Sequence, residues 1–207
     1  MSGLKENLGL DPHKSPNVQP EAVKIVVTET YFIENIERLY SRFRSNRPGY
    51  VGKNYRDLIF TGEITYKGFI KIHNFKAQIP LPLPSCDCVF TDLANALSRP
   101  TTEEKLLALG KLEGFRLPMA SAVLHFSNPS SYAIIDENVV KGMKQIGWAA
   151  RKTVEINNGT IMFYTNYLHE IQRITSSRIK GVANKYDVTP MRLVEASLYA
   201  LGKRWVQ

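Results

Sequence analysis

Apolar residues return at helical intervals along most of this chain. From Thr30 onward, Tyr31, Ile33, Ile36, Leu39, Tyr40 and Phe43 fall on one face of a 3.6-residue period, which predicts an amphipathic helix. Asn46-Arg47-Pro48-Gly49 stops it. A second helix is expected over roughly 52–61. Residues 64–75 alternate weakly and fit a helix or a strand, and Ala22-Val-Lys-Ile-Val-Val27 is equally open. Pro80, Pro82, Pro84 and Ser85 mark a loop across the middle of the chain.

The second half has clearer punctuation. Phe90, Leu93, Ala94 and Leu97 give a helix that Pro100 closes. Thr101 and Glu104 form a capping box for the next helix, which is expected to run through Leu106, Leu107, Leu109 and Leu112. Gly114-Phe-Arg-Leu-Pro118 reads as a tight turn, and Met119 to Phe126 as another helix before Asn128-Pro129. Ile134-Ile135-Asp136 leads into Val139, Val140 and Met143. Two more helices are expected at roughly 161–177 and 189–204, the latter opened by Thr189-Pro190. There is no internal repeat. The fold class is mainly α, with residues 22–207 as one helical domain behind a flexible, proline-containing N-terminal arm over 1–21.

Charge changes the picture toward a polyanion. The chain carries 27 Lys and Arg against 19 Asp and Glu, and over 140–207 the ratio is 11 to 4. Basic groups that neutralise phosphates release counterions and so supply sequence-independent affinity. The same excess also serves solubility alone. No apolar run approaches the ~20 residues of a membrane span, and the N-terminus has no apolar leader. The expectation is therefore an intracellular protein without a membrane partner. Cys86 and Cys88 are one residue apart, too close for the usual zinc or redox spacing, and the four histidines are scattered. No metal and no cofactor are expected.

The candidate chemistry lies in Leu112-Glu-Gly-Phe-Arg-Leu-Pro-Met-Ala-Ser-Ala-Val-Leu-His-Phe126. A helix, a glycine turn and a second helix opening with small residues can aim backbone N–H groups and a positive dipole at one phosphodiester. An ordinary αα-hairpin would also need one glycine. Downstream, Asp136 follows two aliphatic residues at the mouth of a new helix. Asp is among the best N-caps.

The turn plus this acid resembles the helix-hairpin-helix superfamily of base-excision DNA glycosylases, whose hairpin reads Leu-Pro-Gly-Val-Gly-x-x-Thr-Ala and whose acid follows an apolar pair. Gly114 falls on the first hairpin glycine, Ala120 on the alanine, and Asp136 lies 22 positions after Gly114. Pro118, Ala120, Ser121, Ala122, Leu124, Tyr132, Ile134, Ile135 and Asp136 match a less-studied branch, and Arg192, Glu195 and Leu198 match the pattern of its final helix. The likeness is good over 101–143, thinner over 161–204 and weak before 85.

The resemblance implies duplex DNA carrying a lesion as partner, with no obligate protein partner. It implies Asp136 as the catalytic carboxylate and Lys111, Gly114, Phe115, Arg116, Met119, Ala120, Ser121, Lys141 and Lys144 as the DNA-binding set. Arg116 replaces the second hairpin glycine, where a left-handed backbone would be costly. Pro118 stands where bifunctional members carry an imine-forming lysine, so a monofunctional DNA glycosylase hydrolysing the N-glycosidic bond is expected. Glu137-Asn138 replaces a common Thr-His, and the iron–sulfur cysteines of some members are absent. Three alternatives stay open: a non-catalytic helix-hairpin-helix DNA-binding protein, a helix-turn-helix regulator using 180–204, and a small-molecule enzyme on the same scaffold. Tyr132 and His125 fit packing roles better than chemical ones.

Overall fold

The computed structural model describes residues 27–61, 64–76, 88–151 and 155–205. The expected arm over 1–21, most of the ambiguous 22–27 segment, and the loop around Pro80, Pro82 and Pro84 lie outside these residues.

The helix expected from Thr30 is two helices. Thr28 caps α1 (Glu29–Glu34) by accepting from the Tyr31 N–H, and α2 (Ile36–Asn46) follows after one residue. Asn35 parts them, with φ −101° and ψ 9° and its side-chain amide donating back to the Tyr31 carbonyl. A 3₁₀ turn at Pro48–Tyr50 leads into the short α3 (Gly52–Arg56). The ambiguous 64–75 segment is helical, as α4 (Tyr66–Lys76). Phe69, Ile72 and His73 are its buried residues, and that i, i+3, i+4 spacing decides for helix over strand.

Next come α5 (Cys88–Leu97), α6 (Thr102–Leu109) and α7 (Leu117–Ser127). The Thr101–Glu104 capping box is present at the start of α6. That helix ends a turn earlier than expected, because the Lys111 and Leu112 N–H groups reach back only three residues, to Ala108 and Leu109. Then follow α8 (Glu137–Gln145), α9 (Asn158–Ile174), α10 (Ser177–Lys185) and α11 (Pro190–Gly202). The expectation of one helix over 161–177 missed α10, whose inward face is only Ile179 and Ala183. Among the described residues there are eleven α-helices and no strands, a mainly α fold. No helix among them is long and apolar enough to cross a membrane.

The centre of the molecule is α11, in which every residue from Met191 to Leu201 is buried. It packs along α8 and α2 and also meets α10 and α9. Two glycines set the α8–α11 crossing. A Cβ on Gly142 would stand 2.1 Å from the Leu198 carbonyl oxygen, and one on Gly202 would stand 1.9 Å from that of Asn138. In the segment named by the helix-turn-helix alternative, Asp187 (φ 53°) makes a left-handed turn between α10 and α11, and α11 is buried from Met191 to Leu201.

Candidate active site

The site begins with an extended strut, Tyr132–Ile135, held by buried side chains. The Tyr132 carbonyl accepts from His125 Nδ1 at 2.6 Å, that of Ala133 from the Tyr164 hydroxyl at 2.8 Å, and that of Ile134 from the Tyr167 hydroxyl at 3.2 Å. The Ile135 N–H donates to Ser121 Oγ at 3.1 Å. Buried backbone groups need partners, and here α7 and α9 supply them. Since His125 Nδ1 donates, Nε2 accepts from the Tyr55 hydroxyl at 2.7 Å and the ring is neutral. Burial above all, and then the Arg192 charge, push its pKa down to about 3.

The strut delivers Asp136 to the start of α8. Its Oδ1 accepts from the Asn138 and Val139 N–H groups, both at 3.0 Å, so the N-cap is real. Its Oδ2 faces away from the helix and accepts from Lys76 Nζ, on the last residue of α4, at 3.0 Å. Burial opposes ionisation of this carboxyl. The Lys76 charge, then the two backbone donors and the Lys76 hydrogen bond, outweigh it and hold the pKa below the usual Asp value. Cap and exposed charge thus share one carboxylate, one oxygen each. The Lys76 and Asp136 side chains are 13% and 23% exposed, so the pair is sheltered yet reachable.

It is reachable from a cavity of about 230 Å³ that Asp136, Lys76 and Pro118 border together. Phe43, Tyr50, Phe75 and Tyr199 give it aromatic walls. Tyr50 and Phe75 lie 4.3 Å apart, locked by the Tyr50 hydroxyl donating to the Phe75 carbonyl at 3.0 Å. Arg47 donates to the Tyr199 hydroxyl at 2.7 Å and lies over both tyrosine rings, 5.1 Å from Tyr50 and 5.6 Å from Tyr199.

Beneath this cavity is a charged pair on the central helix. Arg192 is 1% exposed and Glu195 3%, and their side chains are hydrogen-bonded to each other. Burial raises the Glu195 pKa, only partly offset by Arg192, and Asp136 adds to the rise. Arg192 Nη2 donates to the Tyr50 carbonyl at 2.9 Å, and its guanidinium lies 4.9 Å from both the Phe43 and Tyr55 rings. Its Nε has no acceptor among the described residues.

The hairpin sits beside the cavity. Gly114 has φ 78°, the left-handed backbone its position in the turn requires. Arg116 does not share that conformation. It is the N-cap of α7 with φ −105° and ψ 167°, ordinary extended backbone, so an arginine there carries no strain. Gly114, Arg116 and Leu117 have N–H groups with no acceptor among the described residues, whereas Pro118 in the first turn has none to offer.

The expected DNA-binding residues therefore divide. Lys111, Gly114, Arg116 and Lys144 are exposed. Lys141 is exposed but ion-paired to Glu137 at 2.7 Å, a weak i, i+4 contact. Phe115, Met119, Ala120 and Ser121 are buried. Phe115 stacks on Phe69 of α4 at 5.8 Å, and Ser121 holds the strut. Among these four, the Phe115, Met119 and Ala120 N–H groups are also spent on carbonyls of Leu112 and Arg116.

Sequence reasoning missed Lys76, Arg47 and the aromatic walls. Lys76 lies 60 residues before Asp136, and nothing local marks it. Arg192 and Glu195 were visible as a spaced pair, though not as neighbours of Asp136. Comparison with protein-family models, curated proteins and solved structures finds no match for this chain.

Proposed function

We propose that the protein is a DNA glycosylase that removes a damaged or mismatched base by breaking its N-glycosidic bond. One observation carries the reading: an ionised carboxylate, fixed at both oxygens, borders an aromatic-walled cavity beside a glycine hairpin. The cavity is smaller than the roughly 300 Å³ at which ligand pockets for drug-sized molecules begin, a size that suits one heterocycle. A base enters such a space only after flipping out of the duplex, and rings such as Tyr50 and Phe75 replace the stacking it loses.

Breaking the bond leaves positive charge on the sugar. A carboxylate already paid for by helix N–H donors is preorganised to stabilise that charge. Lys111 and Arg116, exposed and without ion-pair partners among the described residues, provide phosphate contacts at the hairpin.

The test is strand cleavage after alkali on duplexes carrying uracil, hypoxanthine, 8-oxoguanine, alkylated bases and mismatches, for wild type and Asp136→Asn. Asn is as good an N-cap as Asp, so the variant keeps α8 and loses the charge. Cleavage of one lesion by wild type and not by the variant is the expected result. Salt-dependent duplex binding with no lesion cut would leave a non-catalytic DNA-binding module instead.

A further inference from the structure

Pro118 of the hairpin offers no amine, yet the cavity it borders contains one. Lys76 Nζ, at the end of α4, lies 3.0 Å from Asp136 Oδ2 at the start of α8, and both residues border the cavity. We propose that Lys76 is a catalytic nucleophile that forms an imine with C1′ of the abasic sugar, giving the protein a strand-cleaving lyase activity. This rests on the glycosylase reading of the same site.

The position of α4 makes the amine a fixed feature of the cavity. Phe69 of α4 stacks on Phe115 of the hairpin, and Phe75, next to Lys76, meets Phe126 of α7 edge-on at 5.2 Å. Asp136 is the one ion-pair partner of Lys76 among the described residues. An amine held in an aromatic-walled space beside a carboxylate is suited to carbonyl condensation, because the cation formed on nitrogen meets a negative charge already in place.

The steps balance without an oxidant or reductant. When the glycosidic bond breaks, the departing base keeps the electron pair and takes a proton from Lys76, while water adds to C1′, loses a proton to solvent and gives the abasic hemiacetal, which opens to the aldehyde. The freed Nζ lone pair adds to C1′ of the open-chain aldehyde, and the carbonyl oxygen leaves as water. The resulting iminium carries its charge on Nζ, beside ionised Asp136. Loss of a C2′ proton to solvent gives an enamine, which expels the 3′-phosphate with the C3′–O electrons. Water then releases an unsaturated aldehyde and regenerates the amine.

Borohydride trapping on duplex DNA with a preformed abasic site tests this without requiring base excision. Full-length wild type, Lys76→Arg and Lys185→Arg are compared. Lys185 pairs with Glu37 and lies outside the cavity. The expected result is a covalent protein–DNA adduct with wild type and Lys185→Arg, lost in Lys76→Arg, whose guanidinium keeps the charge beside Asp136 but cannot form the imine. Peptide mass mapping of the wild-type adduct should place the reduced linkage on Lys76, which decides the matter even if the variant folds poorly. An undiminished adduct in Lys76→Arg, or a linkage mapped to another residue, overturns the proposal. No adduct from a wild type that still excises a lesion base overturns it and leaves the glycosylase standing. Neither adduct nor excision removes both.

Discussion

Gly142→Ala should be far more costly than the chemically identical Gly181→Ala. Both glycines are inside helices, α8 and α10, where alanine is favoured by roughly 0.5–1 kcal/mol through lost chain entropy. A Cβ at 181 meets nothing within 4 Å, so that gain should appear undiminished. At 142 the new Cβ would stand 2.1 Å from the Leu198 oxygen, 1.3 Å short of the 3.4 Å of ordinary contact. Leu198 O is backbone, so no rotamer change relieves the clash, and α8 and α11 must separate. Overpacking of this kind costs about 1–3 kcal/mol, and the lack of a side-chain escape puts it at the upper end.

After the helix gain is subtracted, Gly142→Ala should lose about 2 kcal/mol while Gly181→Ala gains up to about 1 kcal/mol. Urea unfolding followed by far-ultraviolet circular dichroism measures both, and unchanged m-values would show that the native state is what moved. If Gly142→Ala proves as stable as Gly181→Ala, the close α8–α11 crossing is wrong. The placement of Asp136 against the α11 side chains would then be wrong with it.

Acid should weaken the fold earlier than carboxylates alone would. His125 has its pKa lowered from 6.5 to about 3, so the unfolded chain binds the extra proton between these values. Its contribution to stability is complete above pH 6.5 and shrinks as pH falls toward 3, by about 2 kcal/mol at pH 5. Asp136, whose pKa is lowered, adds a loss of the same sign as pH falls through its folded value. Urea titrations at several pH values should show this slope, and the His125 ring proton resonance should stay still from about pH 8 to about pH 5; a titrating ring would sink the argument. Ser121→Ala leaves the Ile135 N–H buried without its acceptor, which should cost about 1–3 kcal/mol in the same unfolding assay. A loss below about 0.5 kcal/mol would mean that the strut is held mainly by the tyrosines.

Local rules reached only part of this. The capping box at Thr101, the stop at Pro48 and the cap at Asp136 are short-range effects, and each is where the residue types place it. The break at Asn35 has no such mark, since the apolar face continues across it and only the local backbone departs from helix. The cavity was illegible for a stronger reason: its walls come from α2, the turn at Pro48–Tyr50, α4, α7, the strut before α8, α8 and α11, and each residue looks ordinary within its own segment. Arg47 reads as part of a helix stop, and Tyr199 as one more apolar position on a core helix. Gly142 carried no signal because its neighbour across the crossing is 56 residues away.

The Arg192–Glu195 pair argues that this cavity is more than a packing flaw. Burying two charges costs several kcal/mol per ion, and well-packed apolar residues of similar size usually stabilise a core as well or better. Here the pair occupies a helix buried from Met191 to Leu201, and the Arg192 Nε has no acceptor among the described residues. In return, Arg192 grips the Tyr50 carbonyl and lies against Phe43, holding two of the four aromatic walls. Tyr50 in turn donates its hydroxyl to the Phe75 carbonyl, one residue before Lys76. A chain of contacts therefore runs from the buried pair to the amine beside Asp136. Charge spent in the core where packing alone would suffice is what a site needs when it must hold its walls rigid around a space left open for something else.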